Sequence, residues 1–294
     1  MPRDRTLLAR KLSRFAQLSQ RELSYLADIE SSPVHIARGE EIAYEGQTSQ
    51  MAYILQSGWA CSYKLLPDGG RQIITFPVGG DCVGLRSMLL RTSDHSFSAL
   101  TDSVVCRVEA ARLKQMFEDY PQLFASILWA TSRDEAMVVE HLVSVGRRSA
   151  IERTAHFFLE LHDRLAMVGL ATGNEFECPL NQYVLSDALG LSTIHVNRVL
   201  RKLRERKLMT LAKHTVVIHD ASELKALAGY ENSDDRETII PGRELASPAP
   251  RVRFEGPHHK DETPGPNCPM LMSRHGRART WIRIRDADTA RTVR

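Results

Sequence analysis

The side chains best placed to do chemistry lie between Ser192 and Glu205, and the chemistry they suit is hydrogen bonding to polar edges and anions rather than bond cleavage. Val196, Val199, Leu200 and Leu203 recur at helical spacing and mark one inward stripe over Thr193 to Glu205. That stripe leaves Thr193, His195, Asn197, Arg198, Arg201, Lys202 and Glu205 to point outward, with the acid at the far end. Ser192 stands where an N-cap belongs, its hydroxyl able to accept from the free N–H groups of the first turn. A helix that presents amide and cationic groups from its N-terminal end is what the major groove of DNA admits. The alternative is an ordinary amphipathic helix pair with solvated charges, and the coincidence of cap, turn glycine and cation-rich face favours the groove reading.

Such a helix must be held by others. Gln182 to Leu189 carries Val184, Leu185, Ala188 and Leu189 on one apolar face, and Gly190 follows where a tight inter-helix turn needs positive φ. The segment from Ile151 to Leu165 reads as a further helix packed beneath this pair. Downstream, Leu208 to Leu211 and Thr215 to Ile218 flank Ala212-Lys213-His214 and read as a β-hairpin wing, with Lys213 and His214 at its tip for phosphate contact.

Upstream the period changes twice. Residues 5–30 read as helical, with Leu7, Leu8, Leu12, Phe15, Leu18, Leu23 and Leu26 mostly at helical steps. After Pro33 short apolar runs alternate with turn residues: Val34 to Ile36, Met51 to Leu55, Cys61 to Leu65, Ile73 to Phe76, Phe97 to Leu100 and Val104 to Val108, an antiparallel roll or barrel. Helical spacing returns near Ala111. Beyond Pro121 a heptad-like seam, Phe124, Leu128, Thr131, Glu135, Val138, Leu142 and Val145, suggests a two-stranded coiled coil and hence a homodimer; the alternative is a helix packed on its own roll. Arg147-Arg148-Ser149 breaks the seam and reads as a hinge. The fold class expected is therefore α+β: a roll over 5–120, a dimer helix over 121–146, a winged helix-turn-helix over 147–230 and a tail over 231–294. That tail is rich in proline, glycine and charge, then in arginine (Arg274, Arg277, Arg279, Arg283, Arg285) around Trp281, and reads as disordered, either solvated or touching DNA.

At 294 residues two domains are the ordinary expectation, and the net charge of +3 is too small to identify a partner by itself. No apolar run approaches the roughly 20 residues of a membrane span, and Met1 to Arg5 leads into no signal-peptide core, so a cytoplasmic protein is expected. Cys61, Cys82, Cys106, Cys178 and Cys268 form no C-x-x-C pair, which argues against a zinc site, a disulfide framework or an iron–sulfur cluster. Cys61, Cys82 and Cys106 lie in strand-like runs and read as small buried hydrophobes, with an oxidant-sensing thiol as the alternative. The candidates for catalysis are His95 beside Asp94, and His156 with His162; neither makes a metal-ligand or triad pattern, so no enzyme and no cofactor are expected.

Residues 5–230 resemble the Crp/Fnr family of bacterial transcription regulators. The resemblance rests on the turns Arg38-Gly39-Glu40, Glu45-Gly46, Ser57-Gly58 and Gly80-Asp81, and on the string from Ala188 to Leu200, which is similar to an alphaproteobacterial subgroup. It implies a dimer on a palindromic double-stranded operator, with RNA polymerase as a further partner. It also implies that Arg198 reads guanine, that Ser192 and Lys202 contact phosphate, and that Ile194, where other branches carry glutamate, cannot accept from a cytosine amine. A ligand- or redox-sensing module acting through protein contacts is the alternative. Members that bind cyclic AMP carry a Gly-Glu pair and an Arg-Ser pair; here the corresponding sites read Val83-Gly84-Leu85, followed by Arg86, and Phe97-Ser98-Ala99. Leucine offers a ribose hydroxyl no acceptor and phenylalanine cannot neutralise a buried phosphate, so the effector pocket is degenerate. Millimolar cyclic AMP or cyclic GMP should therefore leave the melting temperature unchanged, since a ligand that binds the native state must raise it; a clear rise with either nucleotide would overturn the reading of Leu85 and Phe97.

Overall fold

A computed structural model of the chain describes residues 6–48, 51–90 and 92–231. The stretch expected to be one helix divides into α1 (Leu7–Leu12) and α2 (Gln20–Ile29). The leucine spacing runs across the break, but Ser19 starts a new helix: its Oγ accepts from the Glu22 N–H while the Glu22 carboxylate accepts from the Ser19 N–H at 2.7 Å. The other Glu22 oxygen accepts from the Leu123 N–H at 3.1 Å and ties α2 to the start of the long helix.

The roll consists of β1 (Pro33–Ile36), β2 (Glu41–Ala43), β3 (Met51–Ser57), β4 (Ala60–Leu65), β5 (Arg71–Thr75), β6 (Cys82–Val83), β7 (Ser96–Ala99) and β8 (Ser103–Glu109), with the short helix α3 (Leu85–Leu90) after β6. Two antiparallel sheets result, in the orders β1-β8-β3-β6 and β2-β7-β4-β5. Ile42, Ala43, Tyr53, Leu55, Val83, Phe97 and Val105 pack as one buried cluster of the roll. The roll runs into α4 (Ala110–Asp119) and α5 (Pro121–Arg147), the latter opened by proline at its first turn, where a missing N–H costs nothing.

Along α5, Leu128, Val138 and Leu142 stand exposed on this chain, as do Thr131 and Glu135, so the middle of the expected seam has an open apolar face. Its ends are used partly inside the chain: Phe124 meets the Phe117 ring edge-on at 5.1 Å, and Val145 is half-buried near Gly190. The seam breaks at Arg148, which is extended, and Ser149 then caps α6 (Ala150–Val168) by a capping box with Glu152. The remaining elements are β9 (Ala171–Thr172), β10 (Glu175–Glu177), α7 (Gln182–Leu189), α8 (Thr193–Glu205), β11 (Met209–Ala212), β12 (Thr215–Ile218) and α9 (Ala221–Ala228). The wing extends to a four-stranded sheet, β11-β12-β10-β9, whose two- and three-residue strands are too short to show alternation in sequence. Cys268, the tail arginines and Trp281 lie outside the described residues.

Two features fix α7 and α8 relative to the roll. Asp81, buried at the Gly80 turn, accepts from Lys11 Nζ and from Arg164 Nη2, each at 2.8 Å, and from the Val78 N–H at 2.9 Å. Lys11 also lies 3.5 Å from Asp134 of α5, so α1, the roll, α5 and α6 meet at one charge cluster. In addition, Trp59, Cys61, Tyr63, Ile73, Phe76 and Val78 of the roll share a continuous core with Phe158, Leu185, Leu189, Val196 and Leu203. Burial pushes the Asp81 carboxyl up, but the Lys11 ammonium and the Arg164 guanidinium outweigh it and hold the group down to about 2. A lowered folded-state value means stability that is present above the unfolded value of about 3.9 and lost as pH falls towards 2. Asp81→Asn leaves two buried cations without their shared counter-ion and should cost about 3–5 kcal/mol in denaturant unfolding at neutral pH, with the acid loss between pH 4 and 2 correspondingly flattened.

Candidate nucleic-acid interface

The local sequence fixes the geometry of α7 and α8. Asn181 Oδ1 accepts from the N–H groups of Tyr183 and Val184, both at 3.0 Å, and so starts α7. Gly190 ends it at φ +61°, a conformation that favours glycine, and the Leu191 N–H returns to the Ser186 carbonyl at 3.2 Å. Ser192 Oγ accepts from the His195 N–H at 3.3 Å and starts α8 two residues later. Val196, Val199 and Leu203 are buried against the shared core and Leu200 is half-buried, which turns the opposite face to solvent. Beneath them, Arg153 Nη1 donates to the Leu189 carbonyl and Nη2 to the Val145 carbonyl, joining the end of α7 to the end of α5.

The outward residues gather as the sequence indicates. Ile194, Asn197, Arg198, Arg201 and Lys202 are exposed on α8, Ser192 is exposed at its cap, and Thr193 and His195 are half-buried. The side chains of Arg198 and Lys202 make no hydrogen bond or ion pair among the described residues, whereas Arg201 sits 3.8 Å from Glu205, an exposed pair of little energetic weight. Gln182, Ile194, Asn197, Arg198, Leu200, Arg201, Arg204 and Leu211 line a cleft of about 490 Å³ between the start of α7, α8 and the first wing strand. At the wing tip Lys213 (φ +50°) and His214 (φ +62°) form the two-residue turn with both side chains exposed. The His214 carbonyl accepts from the Cys178 N–H at 2.7 Å, which anchors the tip.

Two members of this surface escaped sequence reading. Gln182 Oε1 accepts from Asn197 Nδ2 at 2.8 Å, and Tyr183 is 73% exposed beside it. Both fall off the apolar stripe Val184, Leu185, Ala188 and Leu189, and that was the signal available for them.

The residues named for an effector pocket lie on two segments, the start of α3 and β7. Gly84, at φ +80°, leads into α3, where Leu85 is half-buried. Arg86 is turned outward and paired with Asp94, whose other oxygen meets His95 Nδ1 at 2.7 Å. Burial tends to raise the Asp94 carboxyl, yet Arg86 and His95 hold it down to about 2. Phe97 is buried, its ring 4.5 Å from that of His95, and Ser98 Oγ lies 3.4 Å from Cys61 Sγ. Phenyl, not guanidinium, therefore occupies the roll interior at this position. Burial pushes the Cys82 and Cys178 thiols up to about 12, far from the thiolate that oxidant chemistry uses. His156 packs edge-on against the Tyr230 ring at 4.9 Å and is pressed down to about 4 by burial, while His162 Nε2 donates to the Gly173 carbonyl at 2.8 Å and its Nδ1 lies 3.4 Å from Asp163 Oδ1. Among the described residues no cluster of three or more His, Cys, Asp or Glu could hold a metal, and no helix is long and apolar enough to cross a membrane.

A roll joined by a long helix to a winged helix-turn-helix defines a DNA-binding regulator with an attached sensor-type domain. Comparison with known proteins agrees: a cyclic nucleotide-binding domain profile matches residues 33–120 and a Crp-like helix-turn-helix domain profile matches residues 152–227. The chain is 31% identical over 197 residues to the nitrogen fixation regulation protein FixK of Bradyrhizobium diazoefficiens, covering 66% of this chain and 81% of that one. It is 32% identical over 200 residues to the transcriptional activatory protein AadR of Rhodopseudomonas palustris, with coverage of 66% and 81%. The solved structure of FixK2 from Bradyrhizobium japonicum superposes with a TM-score of 0.60 at 29% identity, covering 68% of this chain and 98% of that one. The chain belongs to the Crp/Fnr family of transcription regulators.

Proposed function

We propose that the chain binds a palindromic double-stranded operator as a homodimer, with α8 in the major groove, and does so without a cyclic nucleotide. The observation that carries this reading is the solvent face of α8: Arg198 and Lys202 stand exposed without a partner among the described residues, on a helix capped at Ser192 and braced by α7. Arg198 contacts a guanine edge, the commonest side-chain-to-base pairing by geometry. Thr193, Ile194, His195, Asn197 and Arg201 face the neighbouring bases, while Ser192, Lys202 and Lys213 hold phosphates and set the register. In this reading residues 5–120, 121–146 and 147–230 are the roll, the dimer helix and the DNA-binding domain. The site of action is the cytoplasm, with RNA polymerase as a further partner and no catalytic step.

Dimerisation runs through α5, where Leu128, Val138 and Leu142 leave apolar surface open on the single chain, with Phe124 and Val145 completing the seam at its ends. Leu128→Asp with Leu142→Asp would bury unpaired charge in that seam, so sedimentation should report a monomer and operator affinity should drop as the two half-sites cease to add. A dimer that survives both substitutions would remove the seam.

Arg198→Ala should lose roughly 1–3 kcal/mol of discrimination at one base position. Lys213→Ala should instead weaken all sequences alike and reduce the slope of log affinity against log salt by about one. Competition against operator variants at two salt concentrations separates these outcomes, and full discrimination retained by Arg198→Ala would exclude α8 as the reading helix.

A further inference from the structure

We infer that Ile194 reads the 5-methyl group of a thymine lying within about two base pairs of the guanine contacted by Arg198; the inference rests on the proposed placement of α8 in the major groove. Ile194 sits in the first turn of α8 and is 71% exposed, among the largest exposures of any big apolar side chain described. It lines the cleft together with Arg198, Arg201, Arg204, Gln182 and Asn197 and the half-buried Leu200 and Leu211, so that three guanidinium groups and two amides surround the apolar side chains. An isoleucine in such surroundings does not fit an apolar protein surface, because docking there would desolvate the guanidinium groups beside it. It does fit a base edge, since the major groove offers one apolar group, the thymine methyl, within a field of phosphates that the arginines attract.

The geometry narrows the position. Ile194 and Arg198 are four residues apart and so share a face, about 6 Å apart along the helix axis, or roughly two base steps of 3.4 Å. Asn197, the neighbouring candidate for adenine, already donates its amide to Gln182 at 2.8 Å. β-Branching restricts Ile194 to essentially one χ1 rotamer in a helix, so its methyl groups are presented with little entropy left to lose on contact. The side chain is thus a stiff apolar probe at the end of α8 that enters the groove.

The test begins by selecting binding sites from a random duplex library with the full-length protein, then measuring anisotropy at one salt concentration. The selected operator should contain a thymine within about two base pairs of the guanine whose preference is lost in Arg198→Ala. Replacing that thymine by deoxyuridine removes only the methyl group and should weaken wild-type binding about fourfold per half-site, the value for one buried methyl. Ile194→Ala, an exposed substitution that should leave melting unchanged, should bind the thymine and uracil duplexes equally; the cycle separates a side-chain contact from a change in DNA stiffness. Ile194→Glu should move the preference at that position to cytosine, whose amine a carboxylate accepts. Equal wild-type affinity for thymine and uracil, or a thymine preference kept by Ile194→Ala, overturns the methyl contact alone. A selection that returns no sequence overturns the DNA reading and this inference with it.

Discussion

The arrangement of this chain depends on one buried carboxylate. Asp81 takes Lys11 from α1 and Arg164 from α6, and Lys11 reaches on to Asp134 of α5. Charges taken out of water are tolerated only where geometry and hydrogen bonding are close to complete, so the cluster admits few relative placements of the helices it joins. The turn that delivers Asp81 is equally constrained. Gly80 lies at φ +94°, and a side chain there would come within 3.0 Å of the Leu7 backbone, which only glycine avoids. Through this point α6 is referenced to the roll, and the shared core and the contacts of β5 with α7 extend that reference to α7 and α8.

The cluster also explains why a two-domain sequence folds with a core that runs across the junction. With α6 beside the roll, β5 lies against α7, where Arg71 Nε donates to Asp187 at 2.6 Å and Gln72 Nε2 to the Ala188 carbonyl at 3.1 Å. Family membership brings a sensor-type roll, yet its interior at Phe97 is filled with phenyl and aliphatic carbon. The roll meets the DNA-binding half through packing, through Arg164 on Asp81 and the Phe76 carbonyl, and through these two contacts onto α7.

Legibility in the sequence followed locality. The bounds of α7 and α8 read directly from Asn181, Gly190 and Ser192, because a cap or a positive-φ turn is decided by a few adjacent residues. The wing was equally readable from two β-rich runs around a short polar turn. The break between α1 and α2 was not, since the leucines keep their period across it and only Ser19 and Glu22 mark the new start. The partners of Asp81 were invisible because they come from positions 70 and 83 residues away, and no spacing rule links such distances. At the site, Arg198 and Lys202 could be placed from helical phase alone and Ile194 came from the family resemblance, while Gln182 and Tyr183 showed in the sequence only as residues off the apolar stripe of α7.

The division of labour on α8 has a consequence for how such a regulator can diverge. Its inward residues Val196, Val199 and Leu203 hold the core, and the roll grips α7 through Asp187 and a backbone carbonyl, never through the outward face of α8. In the proposed reading, the base-specific contacts fall to Ile194 and Arg198, exposed side chains outside the buried stripe of α8. If they do so, a duplicated copy could drift toward a new set of promoters by exchanging Ile194 or Arg198 while its folding and its junction with the roll stayed intact.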